Sequence, residues 1–385
     1  MSMLAIGRRV LSRVDWLLFG ATAALLACGL VVLYSAGYDP ESKTNLFGLA
    51  TVDFASAACL KQAVYIAVGL LVMLVGMSIP TQFFFHYSFV FYALSIGMLA
   101  AVAGFGVVVN GSRRWLDLGF ANLQPAEFAK LALLLTMARR LSRNPPRDGS
   151  SYRLTELVVP LALIALPMGL IMQQPDLGTA LSLGIVGVSQ ILFMGVRPRA
   201  IVTALVALSV LAYPAWHMLH DYQQRRILVL LDPESDPQGS GYHITQSKIA
   251  VGSGELFGKG YREGTQSQLE FLPEHTTDFV FSVWAEEWGF AGSVFLLLLF
   301  FGLVSSMLRV TARSRDLFSA LVAFGITAQF FAHIVINTGM VIGLMPVVGI
   351  PLPLISYGGS AMLSLMFGLG IVQGVSMRRL MFRER

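Results

Sequence analysis

The sequence predicts an all-α polytopic membrane protein with about ten transmembrane helices and one large extracytoplasmic loop between spans 7 and 8. Three observations predict it. Hydrophobic residues make up 55% of the chain and charged residues only 13%, with a mean hydropathy of +0.69. A soluble chain of 385 residues cannot hide that much apolar surface from water. The apolar residues fall in separate runs of about 20, the length a helix needs to cross a hydrocarbon layer about 30 Å thick. The arginines gather on alternate connecting segments, as the bias of positive charge toward the cytoplasmic side requires.

From the N-terminus, the runs are Val14–Ala36, Ala63–Ile79, Phe83–Val109, a short Pro125–Ala138, Thr155–Met172, Gly178–Phe193 and Ala200–Met218. After the long loop come Phe279–Leu308, Leu317–Val341 and Gly358–Met377. The first run is too long, and too weakly marked for cleavage, to be a signal peptide. An even number of spans puts both termini on one side. The segments on that side hold Arg8, Arg9 and Arg13, then Arg139, Arg140, Arg143, Arg147 and Arg153. They also hold Arg197, Arg199, Arg309, Arg313, Arg315, Arg378, Arg379, Arg383 and Arg385, so more than half of the 27 Lys and Arg lie there. That side is therefore read as the cytoplasm, and the net charge of +5 reflects topology rather than nucleic-acid binding. The chain is expected to form a single integral membrane domain over residues 1–385, with 219–278 as its outer loop. Cys28 and Cys59, near the outer ends of the first two helices, read either as small apolar residues or as a disulfide pair whose geometry sequence does not show. No metal-ligand cluster, Gly-rich phosphate loop or internal repeat stands out, which argues against a primary pump.

Chemistry concentrates on the outer face. Residues 219–278 alternate apolar residues such as Ile244, Val251 and Phe257 with glycines, the pattern of a segment lying along the membrane interface. The loop ends at Asp278, at the N-terminal mouth of the eighth span, where an Asp is either a helix N-cap or a functional carboxylate. Glu286 and Glu287 follow about 12 Å deeper at 1.5 Å per residue, where carboxylates usually line a functional cavity. In the short fourth span, Glu127 and Lys130 share one face, three residues apart. They form either a self-neutralising pair or part of a larger polar site. Arg113 and Arg114 put positive charge outside, against the topology bias, next to Trp115, which suggests either a phosphate ligand or arginines snorkelling to headgroups beside an interfacial Trp. His333 and Asn337, four apart, read as interhelical hydrogen-bonding residues. The Pro- and Gly-rich stretch from Pro346 to Gly359, with Ser356 and Tyr357, needs burial in protein or a wet cavity at the membrane edge. Gln173-Gln174-Pro175-Asp176 makes another polar outer corner.

Five separated motifs, in order along nearly the whole chain, resemble the SEDS family. They are Gln124-Pro125-Ala126-Glu127-Phe128-Ala129-Lys130, Gln174-Pro175-Asp176-Leu177-Gly178-Thr179 and Gln266-Ser267-Gln268-Leu269-Glu270-Phe271-Leu272-Pro273-Glu274. The others are Thr277-Asp278-Phe279, running on to Ala285-Glu286-Glu287, and Ser356-Tyr357-Gly358-Gly359-Ser360. The Gln-Ser-Gln-Leu-Glu-Phe run and Pro346 to Pro353 are closer to the family's elongation branch (RodA) than to its division branch (FtsW). One departure is visible: the family's His-Thr-Asp becomes His275-Thr276-Thr277-Asp278, which displaces the histidine by one position.

The resemblance implies a peptidoglycan glycosyltransferase that polymerises lipid II on the outer face of the bacterial cytoplasmic membrane during elongation, releasing undecaprenyl pyrophosphate. It implies as partners a class B penicillin-binding transpeptidase and other rod-complex membrane proteins. It maps the family's key aspartate onto Asp278 and its fourth-helix lysine onto Lys130, expected as the catalytic pair. Arg113, Arg114, Glu127, Glu286 and Ser356 are expected around the substrate, with no certain cofactor and room for a divalent cation (Mg or Mn). The chemistry fits the residues: a carboxylate at the outer mouth can act as general base on the acceptor hydroxyl, and outer cations can stabilise the departing pyrophosphate. Lys130 would either keep Asp278 ionised or meet the pyrophosphate itself. A lipid flippase would need a polar path through the whole bilayer, whereas the polar residues here cluster toward the outside. A non-catalytic scaffold would need none of Asp278, Glu286 or Lys130.

Overall fold

Each apolar run folds as a helix, and local signals in the sequence set several of the boundaries. The computed structural model describes residues 14–39, 43–46, 50–109, 112–117, 119, 122–146, 151–218, 221–232, 236, 239–269, 271–272 and 274–380. Arg8, Arg9, Arg13, Arg147, Arg383, Arg385, Glu270 and Pro273 lie outside the described residues. Helix α1 (Trp16–Ala36) starts where Asp15 accepts the amide of Leu18 at 3.1 Å. Helix α2 (Ala57–Ser78) starts six residues before the expected Ala63, because Ser56 caps it through the amide of Cys59. The polar Lys61 and Gln62 of the second turn hid the true start from an apolarity count. Helix α3 (Thr81–Phe105) ends at Gly106 instead of running to Val109. The β-branched run Val107–Val109 becomes strand β3, pairing with β4 (Ser112–Asp117), which pairs in turn with β5 (Asn122–Leu123). A second small antiparallel ribbon, Lys43–Leu46 with Ala50–Asp53, follows α1.

Helix α4 (Pro125–Arg143) begins with proline at its first turn and runs five residues past the expected end. Next come a 3-10 turn (Leu154–Leu157), α5 (Val158–Gln173), α6 (Leu177–Phe193) and α7 (Pro198–Met218). The outer loop folds as α8 (Asp221–Leu231), α9 (Ser240–Ser253) and the short α10 (Thr265–Gln268). Then come α11 (Val280–Ala312), α12 (Leu317–Val341) and α13 (Gly359–Leu380). Among the described residues, seven of the expected spans are long and apolar enough to cross a membrane; the regions of α4, α6 and α7 are helical but shorter or more polar. Cys28 and Cys59 are free thiols.

Helix α4 is the hub, buried along most of its length and packed against α3, α5, α6 and α12. Helices α2 and α13 meet closely where Gly76 faces the Phe367 carbonyl and Gly370 faces the Met73 carbonyl, with no room for a Cβ. The expected eighth span is broken. Gly289 adopts φ 66 and ψ −162, dividing α11 into an outer half-helix (280–288), buried except at Trp288, and a long apolar inner part. The outer loop closes over this break: Lys259 and Gly260 donate backbone amides to the carbonyls of Glu286 and Glu287. Phe290 and Ala291 donate theirs to Glu255 and Leu256. Gly254 and Gly258 make that approach possible, since a Cβ at either would collide with the carbonyl of Ala285 or Glu287.

Candidate active site

Asp278 sits in a turn before α11 in which the amides of Thr277, Asp278 and Phe279 all converge on the carbonyl of Glu274, at 3.1–3.2 Å. That turn puts the helix cap at Phe279, with no side-chain cap bond, so the Asp278 carboxylate is not spent on capping α11. Among the described residues no hydrogen bond reaches it. It lies instead against the Gly349 backbone, where an added Cβ would stand 3.3 Å from Oδ2. Gly349 has φ 71, a conformation glycine adopts without strain. Three bonds fix the turn beneath the Pro- and Gly-rich loop. Asn337 on α12 donates Nδ2 to the carbonyls of Asp278 and Ile350, both at 2.8 Å. Tyr357 donates its amide to the Thr276 carbonyl at 2.9 Å.

Burial first, then the nearby Glu274 carboxylate, pushes the Asp278 carboxyl up from an ordinary 3.8 to about 6. Asp176 acts in the same direction, while Arg226 and Arg114 pull against it. A carboxylate held near neutrality, unbonded and at the end of the bundle, has the chemistry of a general base.

The structure does not join Lys130 to Asp278. The Lys130 ammonium is closed by Glu127 at 2.7 Å and faces His333 Nε2 at 3.4 Å. The second Glu127 oxygen accepts from Ser364 at 2.9 Å. A buried ammonium takes the nearest carboxylate, and three residues along one helix is nearer than another helix's mouth. Any influence on Asp278 runs through α12, where His333 meets Lys130 and Asn337, one turn on, holds Asp278. His333 has the expected interhelical role, joining α12 to α4; Asn337 instead bonds two carbonyls outside the helices, at Asp278 and Ile350.

The expected substrate residues divide sharply. Arg113 is exposed on β4, with one contact to the Ala103 carbonyl at 3.2 Å. Arg114 is committed elsewhere: it donates to the carbonyls of Gln174 and Pro175 and approaches Asp176 at 3.8 Å. Asp176 in turn caps α6 through the amide of Thr179. Arg114 thus ties the hairpin to the Gln174–Asp176 corner, which carries the nearest unsatisfied carbonyls. Ser356 is buried and its hydroxyl accepts the Leu352 amide at 2.8 Å, closing the loop rather than facing a cavity. Gln62 brackets the same turn from α2, bonding the Ser356 carbonyl and the Gly358 amide.

Glu286 is fully buried beneath the outer loop, not turned toward a cavity. It pairs with Lys259 at 2.7 Å and accepts from the amides of Thr265 and Gln266 and from the Thr265 hydroxyl. Glu287 accepts from the Ser35 hydroxyl on α1 and from the Arg262 amide. Sequence reasoning missed this clasp, including Ser35, Lys259 and Arg262. Its legible trace was the spacing of Gly254, Gly258 and Gly260 ahead of Gly289. His275 joins the clasp: one ring nitrogen contacts the Leu272 carbonyl at 2.8 Å and the other the Ala36 carbonyl at 2.9 Å, at the end of α1. Among the described residues no group of three or more His, Cys, Asp or Glu is placed to hold a metal ion.

Together these features define a polytopic membrane protein of the all-α class whose polar site lies at one end of the bundle, under the outer loop. Residues 15–380 match the Cell cycle protein family of FtsW, RodA and SpoVE, and the chain belongs to that family. Among curated relatives it is 45% identical to the peptidoglycan glycosyltransferase MrdB of Escherichia coli (strain K12), over 83% of this chain and 85% of the relative. It is 31% identical to the peptidoglycan glycosyltransferase RodA of Treponema pallidum (strain Nichols), over 97% and 99%. Among solved structures, a chain from a study of how a peptidoglycan synthase complex coordinates polymerization and crosslinking superposes with a TM-score of 0.80. It shares 32% identity, covering 96% of this chain and 99% of that one. The rod shape determining protein RodA of Thermus thermophilus gives 0.69 at 30% identity, covering 95% and 98%.

Proposed function

We propose that this protein is the elongation-type peptidoglycan glycosyltransferase of its cell. It polymerises lipid II into glycan strands on the outer face of the cytoplasmic membrane and releases undecaprenyl pyrophosphate. Asp278 removes the proton from the 4-hydroxyl of the acceptor GlcNAc as that oxygen attacks C1 of the donor MurNAc. The C1–O bond to the pyrophosphate breaks with inversion, by analogy with enzymes that use one base and a stabilised leaving group. Arg113, exposed on the same face, is the residue best placed to meet the pyrophosphate. Lys130 and Glu127 hold the hub helix together and act on the site through α12. A divalent cation, if the reaction uses one, would find its protein ligand in the Asp278 carboxylate and would supply electrostatic stabilisation of the departing pyrophosphate.

A class B penicillin-binding transpeptidase is the expected partner, with other rod-complex membrane proteins around it and membrane lipid along the apolar faces. Both termini face the cytoplasm, as the arginine distribution requires. The observation that carries the reading is the Asp278 carboxylate, freed from capping and pressed against Gly349 at the mouth of α11. The test is polymerisation of labelled lipid II by the purified chain with its transpeptidase. Long glycan strands support the reading; lipid II that is only moved across vesicles, never polymerised, refutes it.

A further inference from the structure

The break at Gly289 leaves two helix amides, on Phe290 and Ala291, without helical partners. The loop supplies the acceptors: Phe290 donates to the Glu255 carbonyl at 2.8 Å and Ala291 to the Leu256 carbonyl at 2.9 Å. Leu256 therefore sits level with Ala291, inside the stretch of α11 that shows apolar side chains outward. Trp288, Phe290, Val294, Phe295 and Leu298 are all exposed there, Phe290 at 65%. The tip continues that face, with Leu256 exposed and Phe257 78% exposed.

This presentation is built into the backbone. Glu255 holds φ 46 and Gly258 φ 83, and the Gly258 amide closes on the Gly254 carbonyl at 2.7 Å. Irregular backbone at membrane depth survives where its polar groups are paired; here the Glu255 amide, the Glu255 and Leu256 carbonyls and the Gly258 amide all have partners. Tyr261 stands beside Trp288, ring centroids 6.3 Å apart, like the aromatic belt at a bilayer surface.

We propose that Leu256 and Phe257 form a lipid-inserted tip. It dips into the leaflet on the side of the outer loop and anchors the clasp that holds Glu286 and Lys259. Lipid is the occupant because the tip extends the same outward row of α11 that a spanning helix shows to acyl chains.

Depth measurement by spin-label accessibility tests it. Nitroxides are placed by Phe257→Cys and Leu256→Cys in full-length Cys28→Ser/Cys59→Ser protein, in vesicles of phosphatidylethanolamine and phosphatidylglycerol. Phe290→Cys is the lipid reference and Glu263→Cys the water reference. The labels at 256 and 257 should relax strongly with oxygen and weakly with a nickel chelate, as at 290. A nickel-accessible label at both positions, as at 263, overturns the proposal. So does a lipid-like label at 257 that loses its oxygen contact when a class B transpeptidase from the same organism is co-reconstituted, because the patch would then be a docking surface for protein.

Discussion

Asn337 holds the backbone carbonyl of Asp278 at 2.8 Å and, with the same Nδ2, the carbonyl of Ile350. One buried amide thus locks the turn of the proposed base to the loop above it. Asn337→Ala strands two carbonyls, each costing about 1–3 kcal/mol when left unsatisfied. The variant should unfold at lower temperature in detergent and lose polymerisation in excess of its loss of folded protein. Unchanged activity at normal stability would show that the turn holds itself.

The Asp278 carboxyl, pushed up to about 6, gives a pH prediction with two signs. A base works only when ionised, so polymerisation should fall as pH drops through about 6. Stability runs the other way. A carboxyl raised in the folded state contributes stability that is full below its ordinary value of 3.8 and lost as pH rises through about 6. Asp278→Asn should therefore unfold at higher temperature than the native protein at pH 7.5. The expected gain is on the order of 1–2 kcal/mol once partial exposure is allowed for, and it should shrink toward pH 4. Melting curves at several pH values read this directly.

Glu286 should prove to be an anchor for the clasp. Glu286→Ala removes the acceptor of three loop donors and of Lys259, which is part-exposed and keeps the Thr265 hydroxyl, and should cost about 1–3 kcal/mol. Because both residues serve one contact, Glu286→Ala with Lys259→Ala should cost less than the sum of the single changes. Thermal unfolding of the four proteins in the cycle checks it; strict additivity would mean the ion pair is incidental.

Lys130 and Glu127 should behave as a buried pair. Lys130→Met leaves a lone carboxylate inside α4 and should cut the yield of folded protein. Adding Glu127→Gln to the same chain should restore part of that yield, since removing both charges is milder than removing one. Size-exclusion profiles of matched expressions decide it. If Lys130→Met folds normally and loses only activity, the lysine acts on substrate.

Much of this was legible in the sequence. The helix positions followed from apolar run length, and Asp278, Lys130, Asn337 and the Pro- and Gly-rich loop all belong to the polar end of the bundle. Pairing across space was not legible. Glu127 and Lys130 are three residues apart, so their bond could be read from spacing; that Lys130 stops short of Asp278 depends on where separate helices cross. Glu286 was misplaced because counting depth at 1.5 Å per residue assumes an unbroken helix entering lipid. Gly289 breaks that helix, and the loop wraps the outer half. Ser356 and Arg114 looked available because sequence does not show the backbone groups, at Leu352 and at Gln174–Pro175, that claim them.

The central claim, that Asp278 is the catalytic base, stands or falls on Asp278→Asn. The amide keeps the size of the side chain, and the turn is held by backbone contacts to Asn337 and Tyr357 that the change leaves intact. Lipid II polymerisation is measured on purified protein at equal folded amounts, with the transpeptidase bound. A loss of at least about 100-fold, the lower end for removing a general base, with an unfolding temperature no lower than that of the native protein and partner binding retained, is the expected result. Glycan synthesis within a few-fold of the native protein would contradict the account and leave Asp278 as a structural residue of the turn.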